Sequence, residues 1–294
     1  MSDPRSSATW SGVMAILLWS SLAVMALFTA DLPPFEILAI SFAIGGLASL
    51  LASPGSLRVR LDRLVQPWPA FVLAVAALFG YHALYFIAFR HAPAVEANLI
   101  NYLWPLLIVV FAAFLPGVRL KFGQLIGTVL GLLGVIIMLV QGRALAIDTA
   151  NLPGYAAAFG AALVWSAYSV LNRRHASVPS VAIAGPCLLV ALLAGIVHLM
   201  IESSVMPNRA QALVLILMGL GPVGVAFRLW DRGTKHGDIA LLATLSYAAP
   251  LLSTLLLLAS GRVAAHWSQA VALLLLLLGA WISVRASVRQ NISG

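Results

Sequence analysis

Residues 101–107 read Asn-Tyr-Leu-Trp-Pro-Leu-Leu, and residues 246–252 read Ser-Tyr-Ala-Ala-Pro-Leu-Leu, 145 positions later. A second match has nearly the same spacing: Leu-Leu-Trp-Ser at 17–20 returns as Leu-Val-Trp-Ser at 163–166. Apolar segments resemble one another by chance, so neither match decides anything alone. Together they divide the chain into a first half, 1–148, and a second half, 149–294, built on one plan.

The sequence around these stretches sets the class. The chain has 294 residues, 62% of them apolar and 9% charged. A soluble domain carries about 25% charged residues, so this chain cannot cover a water-facing surface. Apolar runs of about 20 residues recur from Trp10 to Ile282, each long enough to cross a hydrocarbon core of about 30 Å. In lipid the backbone must satisfy its own polar groups, so repeated spans mean a helical bundle. Turn and charge punctuation places ten spans near 8–30, 35–53, 67–90, 93–115, 119–141, 152–173, 178–201, 209–231, 236–260 and 266–286. The expectation is an all-α integral membrane protein of one domain, with no soluble domain attached. The first run has only Arg5 ahead of it and a counterpart in mid-chain, so it reads as a retained helix rather than a signal peptide.

Each half then holds five spans. Five is odd, so the second half enters the membrane from the opposite side and the repeats are inverted. Such repeats are common in secondary transporters, where their rocking exposes a midplane site alternately to either side. Some channels share the symmetry.

Basic residues set the orientation. With the N-terminus inside, the inner segments carry Arg5, Arg58, Arg60, Arg63, Arg119, Lys121, Arg173, Arg174, Arg232, Lys235, Arg285 and Arg289. The outer segments carry only Arg90, Arg143, Arg209 and Arg262, and Arg228 falls near the inner end of span 8. Twelve against four places both termini in the cytoplasm. The net charge of +8 comes from these scattered groups. No basic stripe exists to track a phosphate backbone, so nucleic acid is excluded as a partner. Cys187 lies in an apolar run as a buried thiol with no intrachain disulfide partner.

Intramembrane polar groups are costly and by default face a cavity or a partner. The densest set is on spans 3 and 4: Tyr81, His82 and Tyr85, then Asn98, Asn101, Tyr102 and Trp104. Span 6 adds Trp165, Tyr168, Ser169 and Asn172; span 1 adds Trp19, Ser20 and Ser21; span 9 adds Thr244, Ser246 and Tyr247. Headgroup belts account for Trp10, Trp68 and Trp267 at span ends. They do not account for aromatics at mid-span, where the choice is between a binding cavity and helix packing. His82 is open between a substrate or proton role and packing, and Asn98 and Asn101 between a cavity and interhelical bonding. Pro105 and Pro250 kink spans 4 and 9 and free backbone carbonyls.

The remaining features have structural explanations. Asp31, Glu36, Glu96 and Glu202 lie toward outer span ends, where snorkelling to water is the default. Asp231 has Arg228 three residues before it and Arg232 after it, which predicts a local ion pair. Gly123, Gly127, Gly131 and Gly134 form a small-residue face on span 5 for close packing. There is no phosphate-binding loop, nucleophile elbow, paired metal-ligand histidines or CxxC, so no cofactor, metal or enzyme chemistry is expected.

The Trp-Ser of spans 1 and 6, the Pro of spans 4 and 9, the glycines of span 5 and the inverted halves together resemble the drug/metabolite transporter superfamily, in its ten-helix EamA-type branch. Within it, Gly80-Tyr81-His82-Ala83-Leu84-Tyr85 and Asn101-Tyr102-Leu103-Trp104-Pro105 are similar to the aromatic amino acid exporter (YddG) group. The resemblance implies a multi-pass protein of the bacterial inner membrane that exports aromatic and other neutral amino acids. It implies a cavity lined by Tyr81, His82, Tyr85, Tyr102, Trp104 and Trp165, to which Trp19, Asn101, Tyr168 and Tyr247 are added from their mid-span positions. Spans 1, 3, 4, 6, 8 and 9 are expected around it, with 5 and 10 at the rim. Export of cationic drugs suits the same aromatic walls. Carriage of sugar nucleotides or phosphate esters needs a cavity cation, for which Arg228 is the sole candidate. A channel lacks its rings of charge here. The partners expected are small molecules and the bilayer. The sequence assigns no oligomeric state, and a monomer is the simplest expectation.

Overall fold

Proline occupies the first turn of several helices, where its missing N–H is no loss, and short polar residues cap others. Asp238 Oδ1 accepts the Leu241 N–H at 3.0 Å, and Asn208 and Gln211 cap one helix start reciprocally. The computed structural model describes residues 3–115, 120–145 and 148–292, without the side chains of 287–292. Arg119 and the side chain of Arg289, both counted above for orientation, lie outside it. Among the described residues ten helices are long and apolar enough to cross a membrane: helix 1, Pro4–Phe28; 2, Pro34–Leu51; 3, Trp68–His91; 4, Ala94–Ala112; 5, Phe122–Val140; 6, Thr149–His175; 7, Ser180–Ile201; 8, Arg209–His236; 9, Ile239–Ala259; and 10, Trp267–Ala286. No strand occurs among these residues.

The packing obeys the duplication. Helix 3 packs on helix 6 as helix 8 packs on helix 1, and helix 7 meets helix 3 as helix 2 meets helix 8. The pairs 2 and 7, 4 and 9, and 5 and 10 are their own counterparts. For these pairs, exchanging each helix with the one five later reproduces the contact, as a two-fold relation between inverted halves requires. Among the described residues, the contacts of helix 8 with helices 6 and 7 have no counterpart of similar extent between helix 3 and helices 1 and 2. Odd-numbered helices start at the face holding the N-terminus, and even-numbered ones end there.

Lipid tails offer no hydrophobic drive to hold helices together, so close backbone approach carries much of the association. Helices 5 and 10 make the most extensive pair. A Cβ at Gly127 would collide with the carbonyl oxygen of Gly279, and one at Gly123 would press on Ala286. Thr128 Oγ1 and Thr244 Oγ1 lie 2.8 Å apart in the same region, and Ser283 Oγ is 2.9 Å from Thr244.

Helices 4 and 9 break as their prolines require. Helix 4 is interrupted at Tyr102 and Leu103, ahead of Pro105, and helix 9 at Tyr247, ahead of Pro250. Two interruptions were not expected from sequence. Helix 1 breaks at Ser21, and helix 8 passes through a π-helical segment, Gly219–Val225, around Pro222. Proline removes one ladder bond, and the π-segment absorbs the defect by widening the turn.

Candidate functional site: an aromatic cluster closed at one face

Helices 1, 2, 3, 4, 6 and 8 bring rings together at the middle of the bundle. Trp19 and Trp165 meet edge-on with centroids 5.7 Å apart, and Tyr81 lies 5.5 Å from Trp165. Tyr81 and Tyr85, one turn apart on helix 3, stack at 5.8 Å. His82 stands edge-on to Tyr81 at 5.2 Å and to Phe42 of helix 2 at 5.3 Å. Tyr168 is 5.5 Å from Trp165, and Trp104 joins through Trp230 at 5.9 Å. Of the ten residues expected at a site, Trp19, Tyr81, His82, Tyr85, Trp104, Trp165 and Tyr168 belong to this one ring cluster.

Polar contacts hold these rings in place. The Trp19 indole N–H donates to the Pro222 carbonyl at 2.9 Å, tying helix 1 to the π-segment of helix 8. Asn101 Nδ2 donates to the Tyr81 hydroxyl at 3.2 Å, and the Tyr85 hydroxyl donates to Asn98 Oδ1 at 3.1 Å, which lock helix 3 to helix 4. Asn101 is buried, and its Oδ1 has no bonding partner among the described residues. His82 Nδ1 lies 2.6 Å from the Leu78 carbonyl oxygen. A carbonyl only accepts, so Nδ1 carries a proton and the neutral ring keeps Nε2 as an acceptor. The serine of each Trp-Ser pair bonds backbone: Ser166 Oγ donates to Trp104 O at 3.0 Å, and Ser20 Oγ to Ile16 O at 2.9 Å.

Tyr247 stands apart from the rings. It is buried against Gly131 of helix 5 with Val135, Met138 and Leu251, and its hydroxyl donates to Tyr102 O at 3.1 Å. Tyr102 is partly buried against that same group.

Two rings went unnoticed in the sequence, Phe227 and Trp230 of helix 8. Phe227 is 5.8 Å from Trp19, 5.9 Å from Trp165 and 5.5 Å from Phe42; Trp230 is 5.2 Å from Trp19 and 6.2 Å from Trp165. The duplication held the signal for both, because they stand 145 positions after His82 and Tyr85. Phe42 and Phe35 also bring helix 2 into the surround, which the sequence had left out.

Beyond Trp230 the N-terminal face is closed by a buried polar network. The Trp230 indole donates to Ser169 Oγ at 3.1 Å, and Asn172 Nδ2 donates to Asp231 Oδ1 at 2.8 Å. Lys235 Nζ reaches Asp231 Oδ2 at 2.9 Å and the Val178 carbonyl at 3.0 Å. Arg173 donates to the carbonyls of Thr234 and Gly237 at 2.6 and 3.1 Å. The ion pair expected between Asp231 and Arg228 or Arg232 is therefore corrected. Arg228 is exposed and Arg232 turns to Ser7 Oγ at 3.1 Å, because Lys235 lies one turn on along the buried face.

Two of the four carboxylates expected to snorkel, Glu36 and Glu202, also depart from expectation. Glu36 is buried and Glu202 nearly so. Glu36 Oε2 accepts the Val205 N–H at 3.0 Å, Glu202 Oε1 accepts the Phe35 N–H at 3.2 Å, and His198 Nδ1 lies 2.9 Å from Glu202 Oε2. Both groups find tertiary partners between helices 2 and 7 instead of snorkelling. Asp31 is exposed.

The model of the EamA-like transporter family matches this chain twice, over residues 6–140 and 152–285. The chain belongs to that family. Each match covers five of the ten helices. The chain is 46% identical over 281 residues, 95% of its length and 97% of the relative's, to the aromatic amino acid exporter YddG of Ancylobacter novellus. It is 26% identical to the protein of that name from Escherichia coli strain K12, across 86% of this chain and 88% of the relative. A solved crystal structure superposes with a TM-score of 0.92 at 44% identity, covering 97% of this chain and 99% of that one. This member of the EamA-like family is thus a multi-pass protein of the bacterial inner membrane.

Proposed function

We propose that the chain exports aromatic and other neutral amino acids by alternating access, with Trp19, Tyr81, His82, Tyr85, Asn101, Tyr102, Trp104, Trp165 and Tyr168 at the substrate cavity and Tyr247 bracing its wall. The observation that carries this reading is the continuous aromatic cluster, beside which the buried charges Asp231 and Lys235 are paired with each other at 2.9 Å. An amino acid zwitterion is neutral overall. Its ammonium is attracted to aromatic faces by roughly 0.5–2 kcal/mol, and its apolar side chain packs on the same rings. The free acceptor on Asn101 and the open Nε2 of His82 suit N–H donors. Relatives named as aromatic amino acid exporters support the substrate class.

In this reading both termini are cytoplasmic, residues 1–148 and 149–294 are the two rocking halves, and the N-terminal face is the closed inner gate. Trp230 is its plug, and the bonds that Asn172 makes to Asp231 and Lys235 makes to the Val178 carbonyl are its latch. Opening toward the cytoplasm requires the bonds across helices 6 and 8 to part. Carriage of phosphorylated metabolites fits less well, since Arg228, the one basic residue proposed for it, is exposed away from the rings. Cationic drugs suit the rings as amino acids do, and the experiment separates them.

The test is counterflow in proteoliposomes: unlabelled amino acid is loaded inside, and entry of labelled phenylalanine is followed with and without a pH gradient. Phenylalanine and tryptophan are expected to stimulate entry strongly, and quaternary ammonium compounds weakly. Tyr81→Ala, Tyr102→Ala and Trp165→Ala proteins that insert normally and transport at the full rate would refute the site.

A further inference from the structure

The connection between helices 2 and 3 is a built element. Gly55, at φ +111°, turns the chain in a conformation that a side chain would strain, and Ser56 caps the short helix Leu57–Asp62. The segment is tied back to the bundle at its far end, where Gln66 Nε2 donates to the Ala182 carbonyl at 3.1 Å and Leu64 lies beside Gly185. It sits at a membrane boundary on either orientation of the protein, because helix 2 ends at Leu51 and helix 3 begins at Trp68.

What this element shows to its surroundings is unusual for a loop. Leu57 is 62% exposed, Val65 78% and Trp68 73%, with Val59 and Leu61 also exposed. Arg58, Arg60 and Arg63 alternate with them, against one acid, Asp62. None of the three arginines has a carboxylate within ion-pair distance among the described residues. Arg60 Nε is buried and has no hydrogen-bond partner among those residues. Apolar side chains at a boundary favour the acyl region, and unpaired guanidiniums favour phosphate oxygens, which they grip with planar paired donors.

We propose that residues 56–68 form a docking surface for anionic phospholipid, with Arg58, Arg60 and Arg63 on the headgroup phosphates and Leu57, Leu61, Val65 and Trp68 in the interface. One arginine beside an anionic membrane surface contributes about a fivefold preference. The three together select anionic over zwitterionic lipid by at least about tenfold.

Native mass spectrometry of the whole detergent-purified protein, titrated with dioleoylphosphatidylglycerol or dioleoylphosphatidylcholine, reads that preference. The expected result is retention of phosphatidylglycerol at about a tenth of the phosphatidylcholine concentration. The R58Q/R60Q/R63Q variant should lose most of this preference, and the corresponding Arg→Lys triple variant should keep the larger part. Equal preference in the wild type and the glutamine variant overturns the proposal. If the glutamine variant does not insert, hydrogen exchange on wild-type protein in nanodiscs decides. Amides of residues 57–66 are expected to exchange more slowly with phosphatidylglycerol than with phosphatidylcholine, and equal exchange overturns the assignment. Protection by soluble polyglutamate but not by phosphatidylglycerol overturns it in favour of an acidic protein partner.

Discussion

The hydroxyl of Tyr247 donates to the carbonyl oxygen of Tyr102 across 3.1 Å, and the two residues hold the same position in the two repeats, 145 apart. Both mark the point where a helix breaks ahead of proline. Trp19 and Trp165, equivalent at 146, touch at 5.7 Å, and His82 meets Phe227, equivalent at 145, at 6.3 Å. Three pairs of equivalent residues therefore meet across the centre of the bundle, where an inverted two-fold relation brings a chain into contact with its own counterpart. The Tyr247 bond satisfies a carbonyl at a broken helix, which in an apolar bundle has little other recourse.

Tyr247→Phe removes that bond and leaves the ring. It is expected to lower stability by about 1 kcal/mol, seen as an earlier thermal unfolding midpoint in detergent, while counterflow of phenylalanine stays near the wild-type rate. A transport loss with unchanged stability would make Tyr247 a substrate contact rather than a brace.

The substrate reading predicts a graded response at Tyr81. Tyr81→Ala loses a ring face and should raise the half-saturating phenylalanine concentration about 2- to 30-fold, the range of one cation–π contact. Tyr81→Phe keeps the face, loses only the Asn101 bond, and should raise it by less than about fivefold. Concentration-dependent counterflow by the two variants tests the order.

At the closed face, Asp231 and Lys235 are both buried and 2.9 Å apart. Removing either leaves the other charge uncompensated, so Asp231→Asn and Lys235→Met should each destabilise the protein by about 3–5 kcal/mol. The double variant should recover much of that loss, because the desolvation cost of both charges disappears. Thermal unfolding of the four proteins completes the cycle, and additive losses would show that the pair is not coupled.

Gly127→Leu tests the packing of helices 5 and 10. A Cβ there meets the Gly279 carbonyl, which is backbone and cannot turn away, so the helices must separate. The expected outcome is poor recovery and a broadened elution profile in detergent. Gly142→Ala provides the comparison: nothing lies within 4 Å of its would-be Cβ, and its φ of +77° imposes only local strain.

Much of this architecture was legible in one dimension. Length and hydropathy determined the ten helices, because a span must be apolar along its full length to cross lipid. The paired Tyr-x-x-Pro and Trp-Ser stretches determined the duplication, and five helices per half determined its inversion. Pro105 and Pro250 foretold two of the breaks, since a missing N–H acts through local bonding alone. The π-segment of helix 8 and the break at Ser21 did not show, because how a helix absorbs a defect depends on what packs against it.

Only the tertiary structure decided which polar and aromatic groups meet. Asp231 chose Lys235 and Asn172 over the neighbouring arginines, and Glu36 and Glu202 found His198 and backbone N–H groups instead of water. Phe227 and Trp230 joined the rings while Tyr247 joined the wall. Sequence determines what each side chain can do and which face of its own helix it occupies. Whether that face meets a partner, a cavity or lipid is settled by how ten helices are arranged, and that arrangement rests on contacts between residues far apart in the chain.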